Sequence, residues 1–187
     1  QPAWDEPSSI DPEFLVKNQE MSTKHEQKHG LWLAPGFYAM AENAYRHHLG
    51  VPIDKHQQEM GRLFSRFTEV AEKSTHAWYP KKRTAEEIAS PSASNRFVAW
   101  PYTKYMNAMN QINQGAAIII MSETRAMRLG IDRDKFIYLH GVADTIEKPL
   151  STRSNFYSSD AMHIMAEQVF FDSDLSMSDI SLIDFYS

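Results

Sequence analysis

Cysteine is absent from this chain of 187 residues. That absence excludes disulfide bonds, thiolate metal sites and a cysteine nucleophile within the chain. No apolar run approaches the roughly 20 residues that a membrane-spanning helix needs, and the first residues show no secretory signal pattern. Cationic residues are outnumbered, with 19 Lys and Arg against 24 Asp and Glu. Because phosphate backbones require a basic face, the sequence excludes nucleic acid as the main partner.

The remaining composition is that of an ordinary globular protein. Hydrophobic residues make up 42% and charged residues 23% of the chain. A chain of this length can bury one good core, and it contains no internal repeat or low-complexity tract. We therefore expect a cytoplasmic globular protein without a membrane span.

An unbroken apolar run, Ala-Ala-Ile-Ile-Ile-Met over residues 116–121, is the most informative stretch of the sequence. Strands that face solvent alternate apolar and polar residues, whereas a continuous run predicts a strand covered on both faces, as inside an α/β sheet. This interpretation requires Ile118 to Ile120 to be buried. Ser122 is placed to cap a following helix, and Gly130 can end that helix with a left-handed residue.

Apolar periodicity and turn residues predict the other elements. The strongest helix covers residues 54–75, where Met60, Phe64 and Phe67 belong to one apolar stripe and Asp54 with Gln57 resembles a capping box. The other predicted helices are 36–49, a short helix after the capping box Thr84-x-x-Glu87, 156–171, and a turn starting at Ser176. The other predicted strands are 97–100, 135–139 and 180–185. A strand–helix–strand order favours parallel pairing, so we predict an α/β fold with a helical N-terminal lobe.

Side-chain amides crowd the approach to the apolar run, including Asn107, Asn110 and Asn113. Such amides can hydrogen-bond the backbone of an irregular turn, which is the ordinary interpretation of this segment. The functional alternative is a loop that lines a ligand crevice beside the sheet. Chemistry alone favours the turn.

A zinc-peptidase pattern, HExxH, occurs at His25-Glu-Gln-Lys-His29. On a helix the two imidazoles would share one face, and the glutamate could act as a general base. However, Gly30 follows at once and the preceding segment lacks the apolar face of a buried helix. We therefore predict no metal site, and a zinc hydrolase is the remotest functional alternative.

The polar approach and the apolar run together resemble the thiolase superfamily. The resemblance lies in Pro101-Tyr-Thr-Lys, Met106-Asn and Asn113-Gln-Gly-Ala-Ala-Ile-Ile-Ile-Met-Ser, and the sequence is most similar to the branch related to sterol-carrier-protein thiolases. Further pieces agree in order, namely Trp78-Tyr, Arg83-Thr-Ala-Glu-Glu-Ile, Ser94-Asn-Arg, His140-Gly-Val-Ala-Asp and Ser159-Asp-Ala-Met. The likeness extends over residues 60–187 and is fainter over 35–60.

The resemblance implies a division of the chain and a set of substrate contacts. Residues 1–34 would form an extended or loosely ordered arm, 35–100 a helical insertion, 101–130 the last strand and helix of the first thiolase half, and 131–187 the start of the second half. In thiolases the insertion covers the pantetheine and acyl chain of a coenzyme A thioester. The implied substrate-binding residues are Met106, Asn107, Asn110 and Asn113.

Thiolases act through two cysteines and a histidine in a Gly-His-Pro motif, and none of these is present. The resemblance therefore implies no catalytic residue in this chain and an internal fragment of a thiolase-like acyltransferase, such as an acetyl-CoA acetyltransferase, of lipid metabolism. Acyl-coenzyme A would be its substrate, with no covalently bound cofactor. The alternative is a non-catalytic acyl-coenzyme A-binding or interaction module with the thiolase fold. In either case we expect stability only beside the remaining thiolase segments or other copies, as a homo-oligomer.

Overall fold

The computed structural model describes residues 22–109, 111–113 and 115–185. Within these ranges the chain forms six α-helices, two short strands and four 3-10 turns. The helices are α1 Lys24–Lys28, α2 Ala34–His48, α3 Ile53–Lys73, α4 Ala85–Ala89, α5 Glu123–Arg128 and α6 Asp160–Ser173, and the strands are β1 Phe97–Ala99 and β2 Tyr102–Thr103. None of these helices combines the length and apolar character needed to cross a membrane.

The helices predicted from periodicity are present, with one error at the start of α3. That helix begins after Pro52, without a side-chain cap, so the predicted capping box of Asp54 and Gln57 is wrong. The Gln57 side-chain amide instead donates to the carbonyl oxygens of Ala89 at 3.1 Å and Pro101 at 3.0 Å. A contact distant in sequence has therefore replaced the local cap.

The other predicted caps are confirmed. Thr84 and Glu87 form a reciprocal capping box at the start of α4, with N–H···O distances of 3.1 and 2.7 Å. Ser122 caps α5 by accepting a hydrogen bond from the backbone of Arg125. Gly130 follows α5 with φ of +71°, a conformation that glycine adopts without steric cost.

The core lies in residues 34–107, which we call the helical lobe. Met60 from α3, Ile88 from α4 and Met106 form its buried centre. Partly buried hydrophobic residues pack around it, namely Phe64, Ala89, Tyr102 and Tyr105. The short α4 thus joins the long α3 to the segment that follows the β1–β2 hairpin.

Gly61 permits the close approach of α3 and α4. A Cβ atom at Gly61 would lie 2.5 Å from the Ala85 carbonyl oxygen and 2.9 Å from the Ala89 Cβ. We expect Gly61→Ala to destabilise the helical lobe by about 1–2 kcal/mol, because the overpacking of two rigid helices outweighs the gain in helix propensity. Urea unfolding followed by circular dichroism measures this change.

The matched control is Gly115→Ala, since a Cβ at Gly115 would meet no atom of the described residues within 4 Å. A Gly61→Ala protein as stable as the wild type would show that α3 and α4 are farther apart than described.

The apolar stripe of α3 is only partly covered. Met60 is buried, whereas Leu63, Phe67 and Val70 are 51%, 56% and 71% exposed. The prediction that this stripe forms core is therefore wrong for its C-terminal half. α4 is a helix of five residues, too short to cover the full length of α3.

The predicted sheet over residues 116–121, 135–139 and 180–185 is not formed within the described residues. Ile118 to Ile120 are 84–85% exposed, and Ile137 is 97% exposed. Taken alone, this exposure contradicts the prediction of an interior strand. A strand needs a partner to satisfy its backbone groups, and the described ranges pair only β1 with β2.

The predicted strand–helix–strand unit is wrong for the same reason, although its helix is present as α6. Gly141 lies against the backbone of α6. A Cβ at Gly141 would lie 2.8 Å from the Val169 carbonyl oxygen, so α6 packs directly on this extended segment.

Candidate substrate-binding loop

The β1–β2 hairpin leads into the candidate loop, whose first residues, 104–107, lie on the helical lobe. Its antiparallel register pairs Phe97 with Thr103 and Ala99 with Tyr102, and the Trp100–Pro101 peptide at the turn is cis. Side chains of α2 and α3 hold the turn by its carbonyl groups, since Asn43 donates to Trp100 at 3.3 Å and Gln57 to Pro101 at 3.0 Å. The start of the loop is therefore fixed to the two long helices.

Asn95 is fully buried and connects α4 to the same loop. Its amide NH₂ donates to the carbonyl oxygens of Glu87, Ile88 and Ser90, at 2.9–3.1 Å. Its amide oxygen accepts the backbone N–H of Tyr105 at 2.9 Å. A single side chain thus caps the end of α4 and orients the first residues of the loop.

A second polar cluster joins α2, α3 and β2. The Glu42 carboxylate contacts Nε2 of the buried His56 at 2.6 Å and accepts the phenolic O–H of Tyr102 at 2.5 Å. Burial raises the pKa of Tyr102, and the hydrogen bond to Glu42 raises it further. Tyr102 therefore keeps its proton and is the hydrogen-bond donor to this carboxylate.

The residues implied as substrate contacts occupy different environments. Met106 is 6% exposed and belongs to the core of the helical lobe. Asn107 is half-buried, and its side-chain amide donates to the Thr103 carbonyl at 2.7 Å. Asn113 is exposed, and Asn110 lies outside the described residues. Met106 and Asn107 are consecutive residues at the start of the loop. Substrate contact by all four residues remains a prediction.

Sequence patterns did not single out the two polar clusters that hold the loop. Asn95 stands in the Ser94-Asn-Arg motif and Tyr102 follows Pro101, so both lay in stretches that carried the family resemblance. Glu42 and His56 were not predicted, because in the sequence a single buried polar residue of a helix looks the same as an exposed one. Their partners become visible only when the helices pack.

The HExxH segment forms the short helix α1, in which the glutamate has a structural role. Glu26 is 2% exposed and forms a reciprocal capping box with Thr23. Its carboxylate also accepts the backbone N–H of Ser151 at 2.7 Å. Nδ1 of His29 contacts the His25 carbonyl oxygen at 2.9 Å. Glu26 therefore links α1 to residues 150–152, and each of its two carboxylate oxygens accepts a backbone N–H.

This link makes a pH-dependent contribution to stability. The Ser151 backbone hydrogen bond, with help from Thr23, lowers the pKa of Glu26 from 4.5 to about 2. A carboxyl group whose pKa is lowered by folding stabilises the folded state above its unfolded pKa, and that stabilisation disappears as the pH falls through the folded pKa. We expect the contribution of Glu26 to be complete above pH 4.5 and lost progressively toward pH 2, as measured by hydrogen exchange at residues 150–152.

The matched variant is Glu26→Gln, which removes the titration but keeps the shape of the side chain. Glu69→Gln is the control, since Glu69 pairs with Lys82 on the surface, where ion pairs add little stability. Equal acid sensitivity of wild type and Glu26→Gln at residues 150–152 would contradict this role.

In the described parts of the chain, no three His, Asp or Glu side chains lie close enough to hold a metal ion together. In the helical lobe, His56 pairs with the Glu42 carboxylate, which also accepts the Tyr102 hydroxyl. The described arrangement is thus that of a framework that positions a loop.

Comparison with known proteins identifies a similar solved structure. No family model and no curated protein sequence matches the chain. Among solved structures, the chain is similar to a monomeric SCP2-thiolase-like protein type 1 from Mycobacterium smegmatis, with 34% sequence identity and a TM-score of 0.81. The match covers 90% of this chain and 37% of the length of that protein. The resemblance predicted from the sequence is confirmed, and the chain belongs to the thiolase superfamily with a thiolase-like fold.

Proposed function

We propose that this chain is the pocket-shaping part of a thiolase-like acyltransferase that acts on acyl-coenzyme A thioesters. The observation that carries the proposal is the match of 90% of the chain to an SCP2-thiolase-like protein at 34% identity. The catalytic groups would come from other parts of the protein, because the chain contains no cysteine. Cytoplasmic lipid metabolism is part of the same proposal.

The fixed start of the candidate loop supports a role in shaping a pocket. Asn95, Gln57 and the Glu42–His56–Tyr102 cluster hold residues 101–107 on the helical lobe. The Asn113 side chain is exposed, so it is accessible to a ligand. A loop anchored at one end by buried hydrogen bonds presents its remaining polar groups in a limited range of positions, as a binding site requires.

The exposed apolar segments support a role as part of a larger assembly. Residues 116–121 carry six consecutive apolar side chains without strand partners in the described structure, and Ile137 and Leu139 are 97% and 79% exposed. Isolated strands of this composition are marginal in water and prone to pair with other chains. We propose that they pair with further thiolase segments or, failing those, with other copies in a homo-oligomer.

The alternative is a non-catalytic acyl-coenzyme A-binding or interaction module with the thiolase fold. The absence of cysteine favours this alternative for the chain by itself. The two proposals share the binding of the thioester and differ in acyl transfer.

Isothermal titration calorimetry with acetyl-coenzyme A tests the shared step, on this chain and on the complete product of its reading frame. We expect saturable binding, weakened about three- to tenfold by Asn113→Ala if one hydrogen bond to the ligand is lost. The control is Gln58→Ala, which removes an exposed amide from α3. Consumption of free coenzyme A thiol, as acetoacetyl-coenzyme A and coenzyme A are converted to two molecules of acetyl-coenzyme A, separates the enzyme from the binding module. The absence of any binding would contradict both.

A further inference from the structure

Two exposed histidines lie side by side on α1. His25 belongs to this helix and His29 is its C-terminal cap residue, so the two are four positions apart in the sequence. Residues at this spacing share one face of a helix. The centroids of the two imidazole rings are 4.5 Å apart, and both side chains are exposed. The pair is therefore accessible to a ligand from the solvent.

A hydrogen bond fixes the tautomer of the second imidazole. Nδ1 of His29 lies 2.9 Å from the His25 carbonyl oxygen. Because a carbonyl oxygen can only accept, Nδ1 must carry the hydrogen, and Nε2 of the neutral ring then has a free lone pair. Histidines that bind metal ions commonly donate their other N–H to a backbone carbonyl or a carboxylate. His29 thus already makes the hydrogen bond that orients a metal-binding imidazole.

The buried Glu26 holds the backbone that carries the two rings. Its carboxylate oxygens accept the backbone N–H groups of Thr23 and Ser151, each at 2.7 Å. Although α1 has only five residues, it is thereby attached to the segment 150–152. A ligand that binds both rings meets a pair whose backbone is already ordered, and such preorganisation reduces the entropy lost on binding.

We propose that His25 and His29 form a binding site for a divalent transition-metal ion such as Zn²⁺. Imidazole nitrogen is a suitable ligand for Zn²⁺, Cu²⁺ and Ni²⁺. Two nitrogens that each bind one zinc ion at about 2.0–2.1 Å lie roughly 3 Å apart, and rotation about the side-chain bonds brings the two rings to this separation. No third His, Asp or Glu of the described residues joins the pair, so water completes the coordination.

The proposed site is structural, and it differs from the zinc-peptidase site that the HExxH pattern describes. Glu26, the general base of that pattern, is 2% exposed and holds α1 to Ser151. The sequence-based prediction of no metal site rested on the missing apolar face of a buried helix, which an exposed pair of histidines does not need. We therefore revise that prediction. The site requires neither a thioester nor acyl transfer, so it goes beyond the proposed function.

Titration of the chain with ZnCl₂, followed by calorimetry, tests the site. We expect saturable binding of Zn²⁺ that weakens about tenfold or more in His25→Ala and in His29→Ala, since each variant removes one of the two ligands. The matched control is His140→Ala, which removes an exposed histidine outside the helices and should bind Zn²⁺ as tightly as the wild type. Circular dichroism of each variant establishes that the helices remain folded.

Hydrogen exchange of the α1 amides gives a second measurement, which the mere loss of a side chain would not change in this way. If Zn²⁺ binds only folded α1, a concentration of about 100 times its Kd should slow the exchange of these amides about hundredfold. His29→Ala should show no such slowing.

The absence of Zn²⁺ binding to the wild type, equal affinity of the wild type and His29→Ala, or α1 exchange that Zn²⁺ leaves unchanged would each overturn the metal site. Acetyl-coenzyme A binding without Zn²⁺ binding would contradict the metal site and leave the thioester function standing. Zn²⁺ binding without acetyl-coenzyme A binding would support the metal site and contradict the thioester function.

Discussion

Replacing Asn95 by alanine is expected to destabilise the helical lobe by about 3–4 kcal/mol, since each buried polar group left without a partner costs about 1–3 kcal/mol. The groups that lose their partner are the Glu87 and Ser90 carbonyls and the Tyr105 N–H. The Ile88 carbonyl is less affected, because Thr103 donates to it as well at 2.7 Å. Urea unfolding followed by tryptophan fluorescence should show the shift, because Trp78 and Trp100 lie in this lobe.

The Asn95→Asp variant distinguishes the contribution of the NH₂ donors of Asn95 from that of its amide oxygen. This variant keeps the oxygen that accepts from Tyr105 but loses the NH₂ group that donates to α4, so we expect it to be destabilised nearly as much as Asn95→Ala. Asn113→Ala is the control for an exposed asparagine and should leave stability within about 0.5 kcal/mol of the wild type. Wild-type stability in Asn95→Ala would mean that the α4 carbonyls do not depend on this side chain.

Ile88→Ala is expected to cost about 2–5 kcal/mol, the range for deleting a buried aliphatic side chain and leaving a cavity. Ile88 is fully buried between Met60 and Met106, so its removal opens the centre of the core. Hydrogen exchange of the α3 and α4 amides measures the loss locally, and protection in both helices should fall together.

The matched control is Ile137→Ala, since Ile137 is 97% exposed. This change should leave the stability of the chain by itself unaltered. In an assembly that supplies strand partners, however, Ile137→Ala should become destabilising. A large effect of Ile137→Ala in the isolated chain would contradict the described exposure, and a negligible effect of Ile88→Ala would contradict the described core.

Local sequence features predicted the helices and their ends well. The capping box of Thr84 and Glu87, the Ser122 cap and the left-handed Gly130 depend on residues within one turn of each other, so a short window of sequence contains all the partners. The thiolase resemblance likewise rested on several short motifs in a fixed order, and the similarity to a solved SCP2-thiolase-like protein supports it.

Contacts between distant residues were not predictable. Gln57 was interpreted as part of a cap because its partners, Ala89 and Pro101, lie far along the chain. The Glu42–His56–Tyr102 cluster was not predicted for the same reason, since its three residues are far apart in sequence. The whole apolar stripe of α3 was predicted to be core. The pattern indicates which face of the helix is apolar, but it does not indicate how much of that face another element covers. α4 covers only the part near Met60.

The apolar run at residues 116–121 is the clearest case in which the sequence did not predict the partners of a segment. Its composition predicts an interior strand, yet Ile118 to Ile120 are exposed and unpaired in the described structure. Composition specifies the environment that a segment requires, and the neighbouring strands must supply that environment. We propose that those neighbours belong to a larger thiolase-like protein.

Hydrogen exchange at Ile118, Ile119 and Ile120 tests this claim most directly, in the chain by itself and in the complete product of its reading frame. We expect these three amides to exchange rapidly in the dilute isolated chain and to be strongly protected in the complete protein. Equally rapid exchange in both, or a reading frame that encodes nothing beyond this chain, would contradict it.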